Sequence, residues 1–168
     1  MRTFVLAVLV LVAGVPAQAS DEDEQDLRLI YERLQPILTE TRAAAGDAAG
    51  SSPAIDLTLF ATLDAIQSET LSSIKDTAVA VYIRDESREL SDECYGEGEI
   101  MNAAYLLIKN YSERLSSNIK LCDYVVESTD IKALAVLGTK TKSELESFRK
   151  LLFDYAMSIS LPPVEHLR

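Results

Sequence analysis

The stretch CYGEGEIMNAAYLLIKNYSERLSSNIKLC, residues 94–122, decides the fold of this chain. It contains both cysteines, and after Gly98 its apolar residues recur at intervals of three and four. That spacing predicts an amphipathic α-helix from about Glu99 to Glu127. Its inward positions would be Ala104, Leu107, Ile108, Tyr111, Leu115, Ile119, Cys122 and Val126.

The same helix decides whether Cys94 and Cys122 can pair. A disulfide needs the two Cα atoms within roughly 7 Å, whereas 28 helical steps of ~1.5 Å would separate them by about 42 Å. Two cysteines in an oxidising compartment usually pair. Either the helix is broken and the bridge forms within the chain, or the helix is unbroken and the thiols are buried or bridge to another chain. We favour the unbroken helix.

Two more helical patterns precede this stretch. Apolar residues at helical spacing predict a first helix from about Asp26 to Ala45, which Pro36 should kink or restart. After a small-residue linker, Ser52 fits an N-cap with Pro53 in the first helical position. The second helix should bury one stripe of residues. These are Leu59, Phe60, Leu63, Ile66, Thr70, Ile74, Ala78 and Val81.

A fourth helical pattern follows the stretch. Residues 128–130 (Ser-Thr-Asp) offer a cap before Ile131. Gly138 should weaken this helix, and the box from Thr141 to Glu144 could restart it. Two prolines, beginning at Pro162, should end it. With four helical patterns, short connections and no alternating strand pattern, the sequence predicts an all-α antiparallel bundle of about four helices.

The N-terminus reads as a secretory signal peptide. Arg2 precedes an apolar run, and Ala17 and Ala19 fit the small-residue cleavage positions. We therefore expect a signal peptide at residues 1–19, one helical domain at 20–161 and a tail at 162–168. Removing Arg2 would change the formal charge from −11 to −12. So acidic a surface argues against nucleic-acid binding, and no later run is apolar enough to span a membrane.

The sequence contains few candidate catalytic residues. His166 is the only histidine and lies in the expected tail, which leaves no zinc pair of histidines and no well-placed Ser-His-Asp triad. The acidic turn from Asp92 to Glu99 lacks the order of a calcium loop. We therefore expect no catalytic residues, no bound metal and no cofactor. One modification signal is present, because Asn110-Tyr111-Ser112 is an N-glycosylation sequon.

The block from Asn110 to Cys122, preceded by Cys94, resembles secreted insect proteins that carry the TsetseEP-type domain. The resemblance extends over roughly Glu93 to Val126. It implies an extracellular, helical and non-enzymatic protein, and it transfers no functional residues.

Two functions are consistent with these observations. The first is a secreted, non-enzymatic interaction protein that acts through the surface of its bundle on an extracellular partner, with a homodimer as one form. The second is an extracellular carrier of a small apolar ligand bound between helices.

Overall fold

The structure is a computed structural model that describes residues 21–50, 53–89 and 97–160. It contains four long helices, which confirms the predicted all-α bundle, and the described residues form no strand. Helix α1 is Asp21–Ala48, α2 is Ala54–Glu89, α3 is Glu97–Ser128 and α4 is Lys132–Ser160. The predicted signal peptide, the tail with His166 and residue Cys94 lie outside the described residues.

Consecutive helices pack side by side, and α1 also packs against α4, so the four helices close into a ring around one core. Cross-helix pairs show that neighbours are antiparallel. Arg33 of α1 pairs with Glu144 of α4, and the later Glu40 pairs with the earlier Lys140. The apolar stripes of all four helices meet inside this ring. Its largest fully buried side chains include Tyr155, Phe148, Leu27, Leu34, Leu63, Ile108, Leu134 and Leu145.

Proline 36 neither ends nor restarts α1, so the expectation of a restart is wrong. The helix runs through it from Asp21 to Ala48. Pro36 lies on the exposed side of α1. The carbonyl that its missing N–H leaves free can therefore bond to water, which makes an interior proline tolerable here.

The turn between α3 and α4 is held by Thr129, one of the residues predicted to cap α4, although its hydrogen bond goes to Ile131, just before α4 begins. Thr129 accepts a hydrogen bond from the backbone N–H of Ile131 at 3.1 Å through its hydroxyl oxygen, and donates to Asp56 Oδ1 at 3.3 Å. Asp56 is buried in the first turn of α2. The two hydrogen bonds of Thr129 therefore fix the α3–α4 turn against the start of α2.

Helix α4 continues through Gly138 and Thr141 without interruption, so the predicted restart is wrong. Gly138 lies at a close approach of α4 to α3, because a Cβ built there would be 2.8 Å from Val126 Cγ2. Thr141 is fully buried, and its hydroxyl donates to the Leu137 carbonyl at 2.8 Å. Glu144 pairs with Arg33 of α1. Both residues of the supposed capping box therefore make tertiary or core contacts.

This close approach predicts that Gly138→Ala is not stabilising in the native chain. Alanine gains about 1 kcal/mol over glycine inside a helix, but its methyl group would overlap the branched side chain of Val126. In a Val126→Ala background the overlap disappears, and Gly138→Ala should then raise the free energy of unfolding by about 1 kcal/mol. Urea unfolding of the four proteins measures the difference. Equal effects of Gly138→Ala in both backgrounds would contradict the close approach.

Candidate functional site

Cys122 is a free thiol with no exposed surface, in the core between α3 and α4. Helix α3 is unbroken from Glu97 to Ser128, so Cys122 lies about 38 Å along the helix from Glu97 at ~1.5 Å per residue. The three residue steps from Cys94 to Glu97 span at most about 11 Å even when fully extended. A bridge from Cys94 to Cys122 within one chain is therefore geometrically excluded.

Burial determines the chemistry of this thiol. Loss of hydration, and to a smaller extent the adjacent Asp123 carboxylate, raise the pKa of Cys122 from 9.0 to about 12. The thiolate is the reactive form of cysteine. Cys122 therefore serves as a small apolar core residue, one of the two alternatives for an unbroken helix, and not as a nucleophile.

In a Cys94→Ser variant, where Cys122 is the only thiol, we expect alkylation by iodoacetamide to be slower by about a hundredfold or more than in the urea-unfolded chain. Stability should also depend on pH. Between pH 9 and about 12 the unfolded thiol ionises while the native one keeps its proton, so the free energy of unfolding falls as pH rises through this range.

The control is the double variant Cys94→Ser, Cys122→Ala, in which the fall above pH 9 should be shallower. Fast alkylation of the native Cys94→Ser protein would show instead that Cys122 is exposed.

A polar cluster that the sequence patterns did not reveal lies in the core. The Gln67 amide nitrogen of α2 donates to the hydroxyl oxygens of Thr41 on α1, at 3.0 Å, and of Thr141 on α4, at 2.8 Å. All three residues are fully buried. The two threonine hydroxyls donate in turn to the carbonyls of Ile37 and Leu137, one turn earlier in their own helices.

One buried atom of this cluster has no hydrogen-bond partner, because Gln67 Oε1 accepts no hydrogen bond. Rotating the amide would not help, since both threonine hydroxyls already donate elsewhere. A buried polar atom without a partner costs about 1–3 kcal/mol. The signal for this cluster was available, because Gln67 follows Leu63 by four residues on the buried stripe, but its threonine partners could not be read from the sequence.

Replacing Thr141 by valine should therefore destabilise the native chain by about 1–3 kcal/mol, because the Gln67 amide loses an acceptor without reaching water. In a Gln67→Leu background the same substitution should be nearly neutral, since no donor is then left unpaired. Chemical unfolding of the two single variants and the double variant measures the coupling. Additive losses would show that Gln67 does not bond to Thr141.

A second polar network joins α2 to α3 near the surface. Glu69 accepts hydrogen bonds from Arg114 at 3.1 Å and from Asn118 at 3.3 Å. A separate hydrogen bond joins the same two helices, in which the Tyr111 hydroxyl donates to Asp76 Oδ2 at 2.7 Å. Partial burial and then this hydrogen bond raise the pKa of Tyr111 to about 12. The bond to Asp76 keeps Tyr111 in place beside the sequon residue Asn110, whose side chain is exposed.

Two of the surface grooves between helices are lined entirely by residues that the structure describes. The first, of about 340 Å³ between α1 and α2, is lined by Tyr31, Gln35, Leu38, Thr39, Arg42, Ser68, Leu71, Ser72 and Lys75. The second, of about 270 Å³ between α1 and α4, is lined by Asp26, Leu29, Ile30, Arg33, Ser147, Lys150, Leu151 and Asp154. The first groove has no carboxylate in its lining, although the chain as a whole is strongly acidic.

The outer face of α3, which we define as Leu106, Leu121 and Tyr124, exposes large apolar side chains. Their exposed fractions are 47%, 42% and 54%. Leu106 and Tyr124 are separated by about five helical turns at 3.6 residues per turn, so they project on the same side. Leu121 lies one turn before Tyr124. Asn110 follows Leu106 by one turn, so a glycan there would stand beside this face.

The described residues include no group of three or more His, Cys, Asp or Glu side chains that could hold a metal ion. None of the helices within residues 21–50, 53–89 and 97–160 is long and apolar enough to cross a membrane.

No protein-family model, curated protein or solved structure matches this chain. The resemblance to TsetseEP-type proteins, the secretion signal and the glycosylation of Asn110 therefore remain predictions from the sequence.

Proposed function

We propose that the protein is a secreted, non-enzymatic interaction protein whose helical bundle binds an extracellular partner through its surface. The observation that carries this proposal is the outer face of α3, where Leu106, Leu121 and Tyr124 leave apolar area in water. Apolar and aromatic side chains of this kind form the central contacts of protein interfaces. The predicted signal peptide supplies the extracellular location.

The supporting contacts make α3 a rigid element for binding. Its inner side is held by the buried Leu115, Ile119 and Cys122. One flank is tied to α2 through Glu69, and Lys142 of α4 donates to Asp123 on the other flank at 2.6 Å. Because α3 is held on three sides, a partner that binds its outer face would lose little conformational entropy in this protein.

The test begins with expression of the full chain in a secretory host. Mature protein recovered from the medium should begin at Ser20. Wild-type protein and a Leu121→Ala, Tyr124→Ala variant are then exposed to extracellular fluid of the source organism, and captured proteins are quantified by mass spectrometry. We expect one partner whose capture falls about tenfold or more in the variant, because interface aromatics each contribute about 1–2 kcal/mol or more.

The matched control is Ile55→Ala, Val136→Ala, which removes exposed apolar side chains from α2 and α4. It should capture the partner as the wild type does. Equal loss in both variants, or no partner at all, would contradict the proposal.

The alternative hypothesis, a carrier of a small apolar ligand bound between helices, has weaker support. The two described grooves are open to the surface and carry polar and charged linings, whereas a purely apolar ligand requires an apolar pocket.

A further inference from the structure

We infer that the groove between α1 and α2 binds a small amphipathic carboxylate, with the carboxylate at Lys75 and the alkyl chain over Leu38 and Leu71. This inference is independent of the proposed partner surface on α3, because it concerns a different pair of helices and a small molecule.

The first support is the charge of Lys75. Among the described side chains, no carboxylate pairs with its ammonium group, which lies over the ring of Tyr31 with Nζ 5.3 Å from the ring centroid. This cation–π contact favours a position of the ammonium at the seam between the helices. The neighbouring Asp76 forms no ion pair with Lys75, and its carboxylate accepts the hydrogen bond of Tyr111 on the α3 side.

The second support is the set of hydrogen-bond donors near Lys75. The amide of Gln35 and the hydroxyl of Ser72 line the same groove, and neither bonds to another described side chain. A carboxylate has about four acceptor sites on its two oxygens. The three groups together could donate to both oxygens, and hydrogen bonds to an ionised acceptor are roughly twice as strong as neutral ones.

The third support is the rest of the lining, which fits an alkyl chain better than a second charge. Leu38 and Leu71 are largely buried and form the floor. At the far end, Arg42 is already paired with Asp64 and donates to Ser68, so its charge is compensated. The helix rise places about 16 Å between Tyr31 and Arg42. The groove therefore has one uncompensated charge, one apolar floor and the length of a medium alkyl chain.

The acidity of the whole chain does not oppose this binding strongly. Charges separated by more than about 8 Å are largely screened at physiological ionic strength. The charged side chains of the lining are Lys75 and Arg42, and Arg42 is paired with Asp64. The groove volume of about 340 Å³ lies at the lower end of the range for small-molecule sites, which restricts the ligand to the size of a medium-chain fatty acid.

The experiment is calorimetric titration of the full secreted chain with decanoate, and separately with decanol as an uncharged probe of the same length. We expect decanoate to bind with a dissociation constant below about 1 mM and decanol to bind more weakly. Lys75→Met, which keeps the length of the side chain and removes the charge, should weaken decanoate binding about tenfold. It should leave decanol binding unchanged.

Lys150→Met is the matched control, because it makes the same substitution in the groove between α1 and α4. This variant should bind decanoate as the wild type does. Both lysines lie on the exposed surface, so unchanged circular dichroism is expected for both variants and verifies folding. Absence of decanoate binding, equal weakening by both substitutions, or no effect of Lys75→Met would overturn the inference.

Discussion

The hydrogen bonds of Gln67 hold three helices in one register. Its amide reaches Thr41 and Thr141 at the same time, and each threonine is oriented by a hydrogen bond to its own helix. A slip of one helix by a turn, about 5.4 Å, would remove at least one of these bonds. The buried amide would then lack a partner at a cost of about 1–3 kcal/mol. Apolar side chains could pack in several registers, whereas the two hydrogen bonds donated by the Gln67 amide form in only one.

The surfaces on which the functional proposals depend follow from that register. Lys75 lies over Tyr31, and Arg42 reaches Asp64, only when α1 and α2 are aligned as Thr41 and Gln67 align them. The outer face of α3 is set differently. Its orientation follows from the network around Glu69 and from the close approach of α4 at Gly138.

Much of the fold could be predicted from the sequence because the helical repeat is a local property. The stripe from Leu59 to Val81 is buried or partly buried as expected, and the predicted helix at residues 99–127 differs from α3 by only one or two residues at each end. The errors arose where a tertiary contact overrides a local signal. Thr141 resembles a helix cap but bonds to Gln67, and Gly138 resembles a breaker but allows α3 to approach.

The candidate sites were less predictable for the same reason. The rise per residue of an unbroken helix gives the distance between Cys94 and Cys122, so their separation could be derived from the sequence. The groove between α1 and α2 could not be predicted from the sequence. It brings together residues about forty positions apart, such as Tyr31 and Lys75, and their contact depends on how the two helices are aligned. The exposure of Leu106 and Tyr124 also depends on which side of α3 the other helices cover.

The most direct test of the register is a nuclear magnetic resonance measurement on the side-chain amide of Gln67. Its two amide protons should show nuclear Overhauser effects to the methyl groups of both Thr41 and Thr141 and should exchange slowly with water, because the amide is fully buried and bonded to both hydroxyls. Nuclear Overhauser effects to only one threonine, or rapid exchange with solvent, would contradict the contact of Gln67 with both neighbouring helices.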